Sequence, residues 1–234
     1  MYVSGKNVAT EILKKNKKVY KAIICNEFND NFIISALQKN KIRIVYKTKR
    51  QIDELAKGKN QGIILDVPDF EYTLLEDIQV KSKYPFYVIL DHIEDPHNLG
   101  AIIRTVEAAG VDAVILPKDR SVSINSTVMS TSSGALDNVS VVQVTNLNQT
   151  IKKLKKEGFW IVGSDMDGTD YNKIDYNMPI CLIIGNEGNG MSRIIKESCD
   201  FIATIPMKGE INSLNASVAA GILIYGILNT RRSW

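Results

Sequence analysis

Histidine and cysteine, which together supply most transition-metal ligands in proteins, are scarce in this sequence of 234 residues. It contains two histidines and three cysteines, and Cys25, Cys181 and Cys199 are far apart in the chain. No pair of them has the short spacing of a zinc site, and an odd number does not suit a disulfide framework. The sequence therefore predicts reduced thiols and gives no support for a cysteine-bound metal.

Long apolar segments are also lacking. No run of apolar residues approaches the roughly 18 that a membrane-spanning helix requires. The first residues, MYVSGKNVATEIL, lack the apolar centre of a secretory signal peptide. We therefore expect a cytoplasmic protein that does not insert into a membrane.

Acidic residues are few in the first quarter of the chain. Residues 1–60 contain 14 Lys and Arg against 5 Asp and Glu, whereas the remainder contains 15 against 21. A basic module of this kind suits a polyanion such as RNA, because each phosphate contact releases counterions. A solvated, lysine-rich surface explains the same composition equally well.

Two α/β patterns follow one another along the chain. In the first 70 residues, helical spacing in NVATEILKKN, DNFIISALQKN and QIDELAKG alternates with the strand-like runs KAIICN, KIRIVYKT and GIILDV. After an acidic, aperiodic stretch, six β-branched runs alternate with helical segments: FYVIL, DAVILP, VSVVQV, FWIVGS, ICLIIG and FIATIP. The second pattern predicts a mostly parallel sheet covered on both faces.

Three of these strands are followed by unusual polar segments. DHIEDPHNLGAIIRT follows FYVIL, GNEGNG follows CLII, and PMKGEINSLNAS follows FIATI. Because active sites of open parallel sheets lie at the carboxyl ends of the strands, these segments predict the site. The glycine-rich segment is neither GxGxxG nor GxxxxGK[ST], and its Glu187 suits a cation or a hydroxyl donor better than a phosphate.

The first of these segments resembles a list of metal ligands. His92 and His97 are five residues apart with Pro96 between them, which predicts an irregular loop rather than the helix of an HExxH site. The neighbouring carboxylates suit the positive end of the helix that follows. We therefore expect no metal site there.

The third segment contains a helix start. Asn212 or Ser213 is expected to cap the closing helix by accepting hydrogen bonds from its first N–H groups. Capping does not explain Asn215, which the pattern places one step inside that helix, where asparagine is a weak helix former. Asn215 is therefore a candidate functional residue.

In this order and spacing, DPHNLGAIIRT, IIGNEGNGMS and IPMKGEINSLNASVA resemble the three motifs of the SpoU family of RNA 2′-O-ribose methyltransferases, a TrmH-like branch of the SPOUT class. The resemblance implies a catalytic α/β domain over residues 84–234, with a mostly parallel sheet and a C-terminal trefoil knot, a rare exception to the usual topology rules. Residues 1–72 resemble the small L30e-like α/β domain that binds RNA in some members, and residues 73–83 are the expected linker.

The resemblance also implies a cofactor, S-adenosylmethionine, and a set of site residues. The cofactor would be bound by Gly185, Glu187, Ile205, Met207, Leu214 and Ala216. The family's functional side chains correspond to Asn98, Arg104, Glu187, Ser213 and Asn215, and all five are present.

Arg104 has a physical role in such a reaction. It lies in a helix on a face with the small residues Ala101 and Ala108. A guanidinium pairs well with phosphate but stays protonated, so it is a poor base. We expect it to bind the target phosphate and to stabilise the alkoxide that develops as the ribose 2′-oxygen attacks a methyl group on a positive sulfur. Holding these atoms in line is catalysis by positioning and requires no metal.

Several alternatives remain open. The arrangement is most similar to family members that methylate a guanosine ribose of 23S rRNA, but the same chemistry could act on tRNA. A non-catalytic RNA-binding protein that has kept the fold is an alternative of another class. A nucleotide-dependent oxidoreductase is disfavoured because no GxGxxG follows the first strand of the second domain.

The closing helix, SLNASVAAGILIYGILNT, is apolar on nearly all sides. A helix of this kind must be covered on more than one face. A second copy of the chain is the natural cover, because two-fold pairing is the commonest closed assembly. We therefore expect a homodimer formed through the C-terminal domain, which is also how the family pairs.

Overall fold

The protein divides into two compact units. The structure is a computed structural model that describes residues 1–56, 60–80, 82–210 and 213–231. The first unit contains Met1–Glu71 together with Ile124–Gly134, and the second contains Tyr72–Ser123 and Ala135–Trp234. The sequence did not indicate that residues 124–134 group with the first unit.

Ten strands and eight α-helices are present in the described residues. The strands are β1 (Tyr2–Ser4), β2 (Lys21–Cys25), β3 (Arg43–Lys47), β4 (Ile63–Asp66), β5 (Phe86–Leu90), β6 (Ala113–Pro117), β7 (Ser140–Val144), β8 (Trp160–Asp170), β9 (Ile180–Ile184) and β10 (Phe201–Thr204). The helices are α1 (Lys6–Lys14), α2 (Asn31–Lys39), α3 (Lys49–Leu55), α4 (Pro96–Ala108), α5 (Ser126–Thr131), α6 (Leu147–Lys156), α7 (Arg193–Glu197) and α8 (Ala216–Arg231).

The first unit contains a four-stranded mixed sheet in the order β1-β4-β2-β3. β2 and β3 are parallel, and β4 runs antiparallel to both β1 and β2. All three predicted helices and all three predicted strands are confirmed, and Asp30 caps α2 by accepting from the N–H of Ile33 at 3.1 Å. The sequence missed β1, because three residues are too few to show a period of two.

Helix α5 belongs to this unit. Asn125 caps it by accepting hydrogen bonds from the N–H groups of Thr127 and Val128 at 2.9 and 3.0 Å. The helix packs against β1 and α1, and the side chain of Val128 is fully buried. The small-residue segment that contains it therefore completes the core of the first unit.

The second unit contains a six-stranded sheet in the order β10-β8-β9-β5-β6-β7. Every neighbouring pair of strands is parallel. All five residues of β5, β6 and β9 are buried, as expected for strands covered on both faces. The predicted α/β class with a mostly parallel sheet is confirmed, whereas the short helix α7 was not predicted.

Helix α8 closes the second unit. Its C-terminal end is held by Arg231, whose guanidinium donates to the carbonyl oxygens of Tyr84, Tyr176 and Met178 at 2.7 to 2.9 Å and lies over the ring of Phe86. Burial lowers the pKa of Arg231 to about 10, so the side chain still carries its charge at neutral pH. None of the helices in the described residues has the length and apolar character that a membrane crossing requires.

Candidate active site

The three polar segments follow strands that lie close together in the second sheet. β5 and β9 are hydrogen-bonded neighbours, and β8 lies between β9 and β10. All of them are parallel, so their carboxyl ends share one edge of the sheet. The three segments that contain the predicted site residues therefore begin at the same edge of the sheet, as predicted.

Helix α4 begins immediately after the first of these strand ends. Asp95 caps it by accepting from the N–H of His97 at 2.9 Å, and Pro96 occupies the first turn, where its missing N–H costs nothing. The prediction that both histidines lie in an irregular loop was therefore wrong for His97, which is helical. His92 does lie in the loop, with a left-handed φ of 61°.

Asn98 joins the three segments. Its side chain is only 6% exposed. The Nδ2 group donates to Glu187 Oε1 at 2.8 Å, and Oδ1 accepts from Nδ2 of Asn215 at 3.0 Å. A buried amide needs partners for both of its ends, and here the two partners come from the second and third segments. We call Asn98, Glu187 and Asn215 the amide cluster.

Asn215 also starts helix α8. Its Oδ1 accepts from the N–H groups of Ser217 and Val218 at 2.9 and 3.4 Å, which is the geometry of an N-cap. The expectation that Asn212 or Ser213 caps this helix and that Asn215 lies inside it was therefore wrong for Ser213 and Asn215. Asn212 lies outside the described residues. The cap orients the amide of Asn215, because Oδ1 is occupied and Nδ2 is left to reach Asn98.

A second set of contacts ties the first strand end to the glycine-rich loop. Asp91 is only 1% exposed. Its Oδ2 accepts from the N–H of Ser192 at 2.9 Å, and its Oδ1 lies 2.6 Å from Nδ1 of His92. The carbonyl of His92 accepts from Nδ2 of Asn186 at 2.7 Å. Neither of these contacts was predicted from the sequence, although a carboxylate directly after a buried strand is a signal.

The glycine-rich loop is closed on itself. Asn186 and Gly190 exchange backbone hydrogen bonds at 3.0 Å, and the Asn186 side chain accepts from Gly188 N at 2.9 Å. A Cβ added at Gly185 would lie 2.4 Å from the backbone of Gly190, so only glycine fits there. This loop holds Glu187 exposed at its tip, where the side chain reaches Asn98.

Arg104 is placed differently from the amide cluster. It lies on the exposed side of α4, opposite the buried Ile102 and Val106. Its side chain forms no hydrogen bond or ion pair with any residue that the structure describes. Its permanent charge is therefore available to an anionic ligand, in contrast to Asn98, whose Nδ2 and Oδ1 are each engaged in a hydrogen bond.

The remaining predicted cofactor residues lie in the segment between β10 and the start of α8. Ile205 and Met207 follow β10, and Leu214 and Ala216 flank Asn215. Met207 is 42% exposed, whereas Ala216 is buried. Gly185, Ile205, Met207 and Leu214 make no backbone hydrogen bond to the residues described. Open backbone groups beside apolar side chains are the chemistry that binds an adenine ring. Ser213 is exposed and has no hydrogen bond within the described part of the chain.

Metal and thiol chemistry find no support in the described residues. No group of three or more His, Cys, Asp or Glu within them could hold a metal ion. Cys25, Cys181 and Cys199 are free. Burial raises the pKa of Cys199 to about 12 and raises that of Cys181 as well, so both thiols are protonated at neutral pH.

The site was compared with known proteins. A sequence model of the family described as SpoU rRNA Methylase matches residues 85–225, and one described as RNA 2′-O ribose methyltransferase substrate binding matches residues 2–73. YacO of Bacillus subtilis (strain 168), whose name assigns it to the TrmH family of tRNA/rRNA methyltransferases, is 41% identical over 98% of this chain and 96% of its own.

Solved structures have the same fold. The SpoU methyltransferase AviRb from Streptomyces viridochromogenes, in complex with its cofactor AdoMet, matches with a TM-score of 0.79 at 21% identity, over 100% of this chain and 91% of its own. The A. aeolicus TrmH/SpoU tRNA modifying enzyme matches with a TM-score of 0.59 at 32% identity, over 65% of this chain and 78% of its own. The family model covers more than half of the chain, and the chain therefore belongs to the SpoU rRNA methylase family of RNA methyltransferases.

Proposed function

We propose that the protein transfers a methyl group from S-adenosylmethionine to a ribose 2′-oxygen in structured RNA, with a guanosine of 23S rRNA as the substrate. The observation that carries this proposal is the amide cluster. Asn98 is buried and bonded to both Glu187 and Asn215, so the three motifs of the family form one preorganised unit. Arg104, on the helix of Asn98, supplies a free positive charge.

The cofactor fits the residues that follow β9 and β10. Gly185, Ile205, Met207 and Leu214 offer open backbone donors and acceptors, with apolar side chains beside them. Glu187 supplies a carboxylate that suits the cationic or hydroxyl groups of the cofactor, and Ala216 leaves room beside Asn215. When bound, the cofactor supplies a methyl group activated by a positive sulfur, so the protein needs no metal for the reaction.

The protein's own residues act mainly by positioning. Arg104 binds the phosphate next to the target ribose and stabilises the negative charge that develops on the 2′-oxygen. Asn98 fixes the positions of Glu187 and Asn215. Ser213 lies exposed two residues before Asn215 and is placed to contact the RNA or the cofactor. The 2′-hydroxyl proton leaves to water or to a neighbouring group.

The substrate assignment is supported by the first unit. Residues 1–60 carry a strong excess of positive charge, and residues 2–73 match the substrate-binding family. We assign residues 1–72 as the RNA-binding domain, 73–83 as the linker and 84–234 as the catalytic domain. The match to the A. aeolicus tRNA-modifying enzyme covers 65% of this chain. A separate basic domain favours a large structured RNA over tRNA, because it extends the contact surface.

Mass spectrometry of cellular RNA tests the substrate. Total rRNA and tRNA from cells with and without the gene are digested to nucleosides and to mapped fragments. A 2′-O-methylguanosine in 23S rRNA that disappears without the gene is the expected result. A lost 2′-O-methyl group in tRNA would move the assignment to tRNA, and no change in either pool would contradict methylation of RNA in these classes.

A non-catalytic RNA-binding protein is the competing function. It would bind RNA, yet transfer no methyl group from radiolabelled S-adenosylmethionine. The presence of all five functional side chains argues against it, because a protein that no longer catalyses the reaction has no need for the unpaired Arg104. Location in the cytoplasm and a knotted C-terminal chain remain predictions that accompany the methyltransferase assignment.

We further propose that the working unit is a homodimer formed through α8. One side of this helix is buried within its own unit, by Ala220, Leu223 and Ile227 among others. The other side leaves Val218 50% exposed and Ile222 partly exposed, four residues further along the helix. An apolar stripe of this kind is suited to pairing with a second copy.

A mixing experiment tests the dimer. Chains with Arg104→Ala are combined with chains carrying Asn215→Ala, and each variant alone is expected to be strongly impaired. If the arginine of one chain serves the cofactor pocket of the other, the mixture recovers part of the wild-type activity. No recovery, together with a monomeric mass in sedimentation at active concentrations, would contradict the pairing.

A further inference from the structure

Helices α1 and α2 end in the same way. In each, the residue after the C-cap has a left-handed backbone, with φ 49° at Asn16 and 53° at Lys41. Each turn is closed by the two bonds of a Schellman motif. The bonds are Asn16 N to Leu13 O at 3.2 Å, Lys17 N to Ile12 O at 3.0 Å, Lys41 N to Gln38 O at 3.0 Å and Ile42 N to Leu37 O at 2.9 Å.

Lys41 is an unfavourable residue for its position. Glycine is preferred in the left-handed position of this motif, asparagine is tolerated, and other L-residues cost about 1 kcal/mol there. Lys41 is exposed, and its side chain forms no ion pair or hydrogen bond with the residues that the structure describes. Local stability therefore does not explain why a lysine occupies this turn, and a role for its charge does.

The two turns concentrate positive charge. Residues 14–21 and 39–43, which we call the helix-end surface, contain eight lysines and arginines and no aspartate or glutamate. Lysines in the last turn of a helix interact favourably with its dipole, which accounts for Lys14 and Lys39. The helix dipole does not account for Lys18, Lys41 and Arg43, which lie beyond the helix ends.

A small cavity of about 220 Å³ opens between the two turns. Leu13, Val19 and Ile42 supply its apolar lining, and Asn16 and Lys18 are among its polar residues. A lining that combines apolar side chains with amides and lysines suits a flat heterocycle attached to a phosphate chain.

Two exposed aromatic rings lie next to the helix-end surface, and each has a lysine ammonium group over it. Tyr20 is 54% exposed, and the ammonium of Lys18 lies 5.1 Å from the centre of its ring. Phe32 is 47% exposed, with Lys14 at 5.9 Å. Rings of this kind stack on unpaired bases, and the adjacent ammonium groups contact the phosphates.

We propose that the helix-end surface binds an unpaired nucleotide of the substrate RNA and the phosphates next to it. The inference rests on the proposed function, since it assumes that the substrate is RNA. The base occupies the cavity, Tyr20 stacks on a neighbouring base, and Lys18, Lys41 and Arg43 contact the backbone. The surface thereby selects RNA with a single-stranded segment at a fixed place in its fold.

The substitution Lys41→Gly provides the test, because it removes the charge and suits the left-handed backbone. Its melting temperature should equal or exceed that of the wild type, while its affinity for deproteinised 23S rRNA falls about 3- to 10-fold. The slope of log affinity against log salt should decrease in magnitude by about one, the value for one lost phosphate contact. Bulk tRNA is measured in parallel as a second probe.

Lys49→Gln is the matched control. Lys49 is the first residue of α3 and lies beyond the other end of β3, so the variant loses the same charge away from the helix-end surface. We expect Lys49→Gln to bind RNA more tightly than Lys41→Gly does. Wild-type affinity in Lys41→Gly, or an equal loss in Lys49→Gln, would overturn the proposed location.

Cross-linking locates the contact directly. A 23S rRNA transcript containing 4-thiouridine is irradiated with the wild-type protein, and cross-linked peptides are expected within residues 13–20 or 40–43. Cross-links confined to other parts of the chain would refute the inference. If the wild type neither binds rRNA or tRNA nor methylates them, the proposed function fails too. If it methylates RNA and Lys41→Gly behaves as the wild type, only this inference fails.

Discussion

The amide cluster in the second unit and the helix-end surface in the first unit use polar side chains in opposite ways. In the cluster, Asn98 is buried and both ends of its amide are hydrogen-bonded. On the helix-end surface, Lys39, Lys41 and Arg43 are exposed and have no ion-pair partner among the described residues. One region is organised before any ligand arrives, whereas the other offers charge that an incoming polyanion neutralises.

Because of this contrast, the two regions should respond differently to substitutions and to salt. A hydrogen-bonded cluster built around a buried amide depends on geometry, so a change of one atom alters the site while salt has little effect. An exposed basic surface depends on the number of phosphate contacts, so salt weakens it steeply and single substitutions act modestly. Arg104 combines features of both regions, because it lies on the same helix as Asn98 but carries a free charge.

The largest effect is expected for Arg104→Ala. The guanidinium is the one side chain proposed to meet the charge that develops on the 2′-oxygen. Loss of such a group typically lowers turnover 100-fold or more. S-adenosylmethionine affinity should stay within about twofold, because we propose that Arg104 contacts the RNA and not the cofactor. Arg104→Lys keeps the charge without the planar fork and should recover only part of the activity. Wild-type turnover in Arg104→Ala would remove the arginine from the mechanism.

Two substitutions at Asn215 separate its roles. Asn215→Asp keeps the oxygen that caps α8 but loses the Nδ2 group that donates to Asn98, whereas Asn215→Ala loses both. Both should lower methyl transfer about 10- to 100-fold. Only Asn215→Ala should lose stability, by about 1 kcal/mol for the missing cap. Thermal unfolding and methyl-transfer rates together decide this, and equal activity of Asn215→Asp and the wild type would show that the bond to Asn98 is dispensable.

The Asp91 contacts should matter for stability more than for turnover. Asp91→Asn keeps the shape but replaces one of the two oxygens of the buried carboxylate by an NH2 group, so the hydrogen bond to the N–H of Ser192 or the contact with Nδ1 of His92 is lost or weakened. Such a loss costs about 1–3 kcal/mol. Chemical denaturation should show it, with catalysis reduced less than in Asn215→Asp. Unchanged stability would mean that Asp91 does not hold the two loops together.

Salt should affect RNA binding and the chemical step differently. Between 50 and 200 mM salt, the affinity for RNA should fall by at least tenfold, whereas the single-turnover rate at saturating RNA should change less than twofold. Filter binding and rapid-quench measurements on the wild type provide the two numbers. A rate that falls together with the affinity would show that free charge, and not only preorganised geometry, sets the chemical step.

Removal of divalent metal should have no effect on the reaction. With RNA folded beforehand and its structure shown to be intact, excess chelator should leave the methyl-transfer rate unchanged. A loss that one specific divalent ion restores would return His92 and the carboxylates near it to the role of metal ligands.

The sequence was most informative where a pattern is long or specific. Each strand of the second sheet contains a short apolar run, and all six were predicted, although β8 extends to Asp170, six residues beyond FWIVGS. The start of α8 was misplaced because capping depends on which side chain turns back to the helix, and the letters INSLNAS allow several choices. The sequence also gave no sign that α5 completes the first unit, because contacts between distant segments leave no local periodicity.

The site was predictable as a set of residues and not as a network. Asn98, Glu187 and Asn215 were named from their positions after strands and from the family resemblance. That a single amide bonds to both of the others depends on the depth of Asn98 beneath the loop, which only the three-dimensional structure gives. The contact of Asp91 with Ser192 joins residues 101 positions apart and has no signal within either segment.

One comparison tests the division between geometry and charge most directly. Single-turnover methyl transfer to RNA is measured for Arg104→Ala and Lys41→Gly with RNA and S-adenosylmethionine both raised to saturation. Lys41→Gly is expected to reach the wild-type rate once RNA is saturating, while Arg104→Ala stays at least 100-fold slower at every RNA concentration. Recovery of Arg104→Ala at high RNA, or a persistent defect in Lys41→Gly, would contradict it.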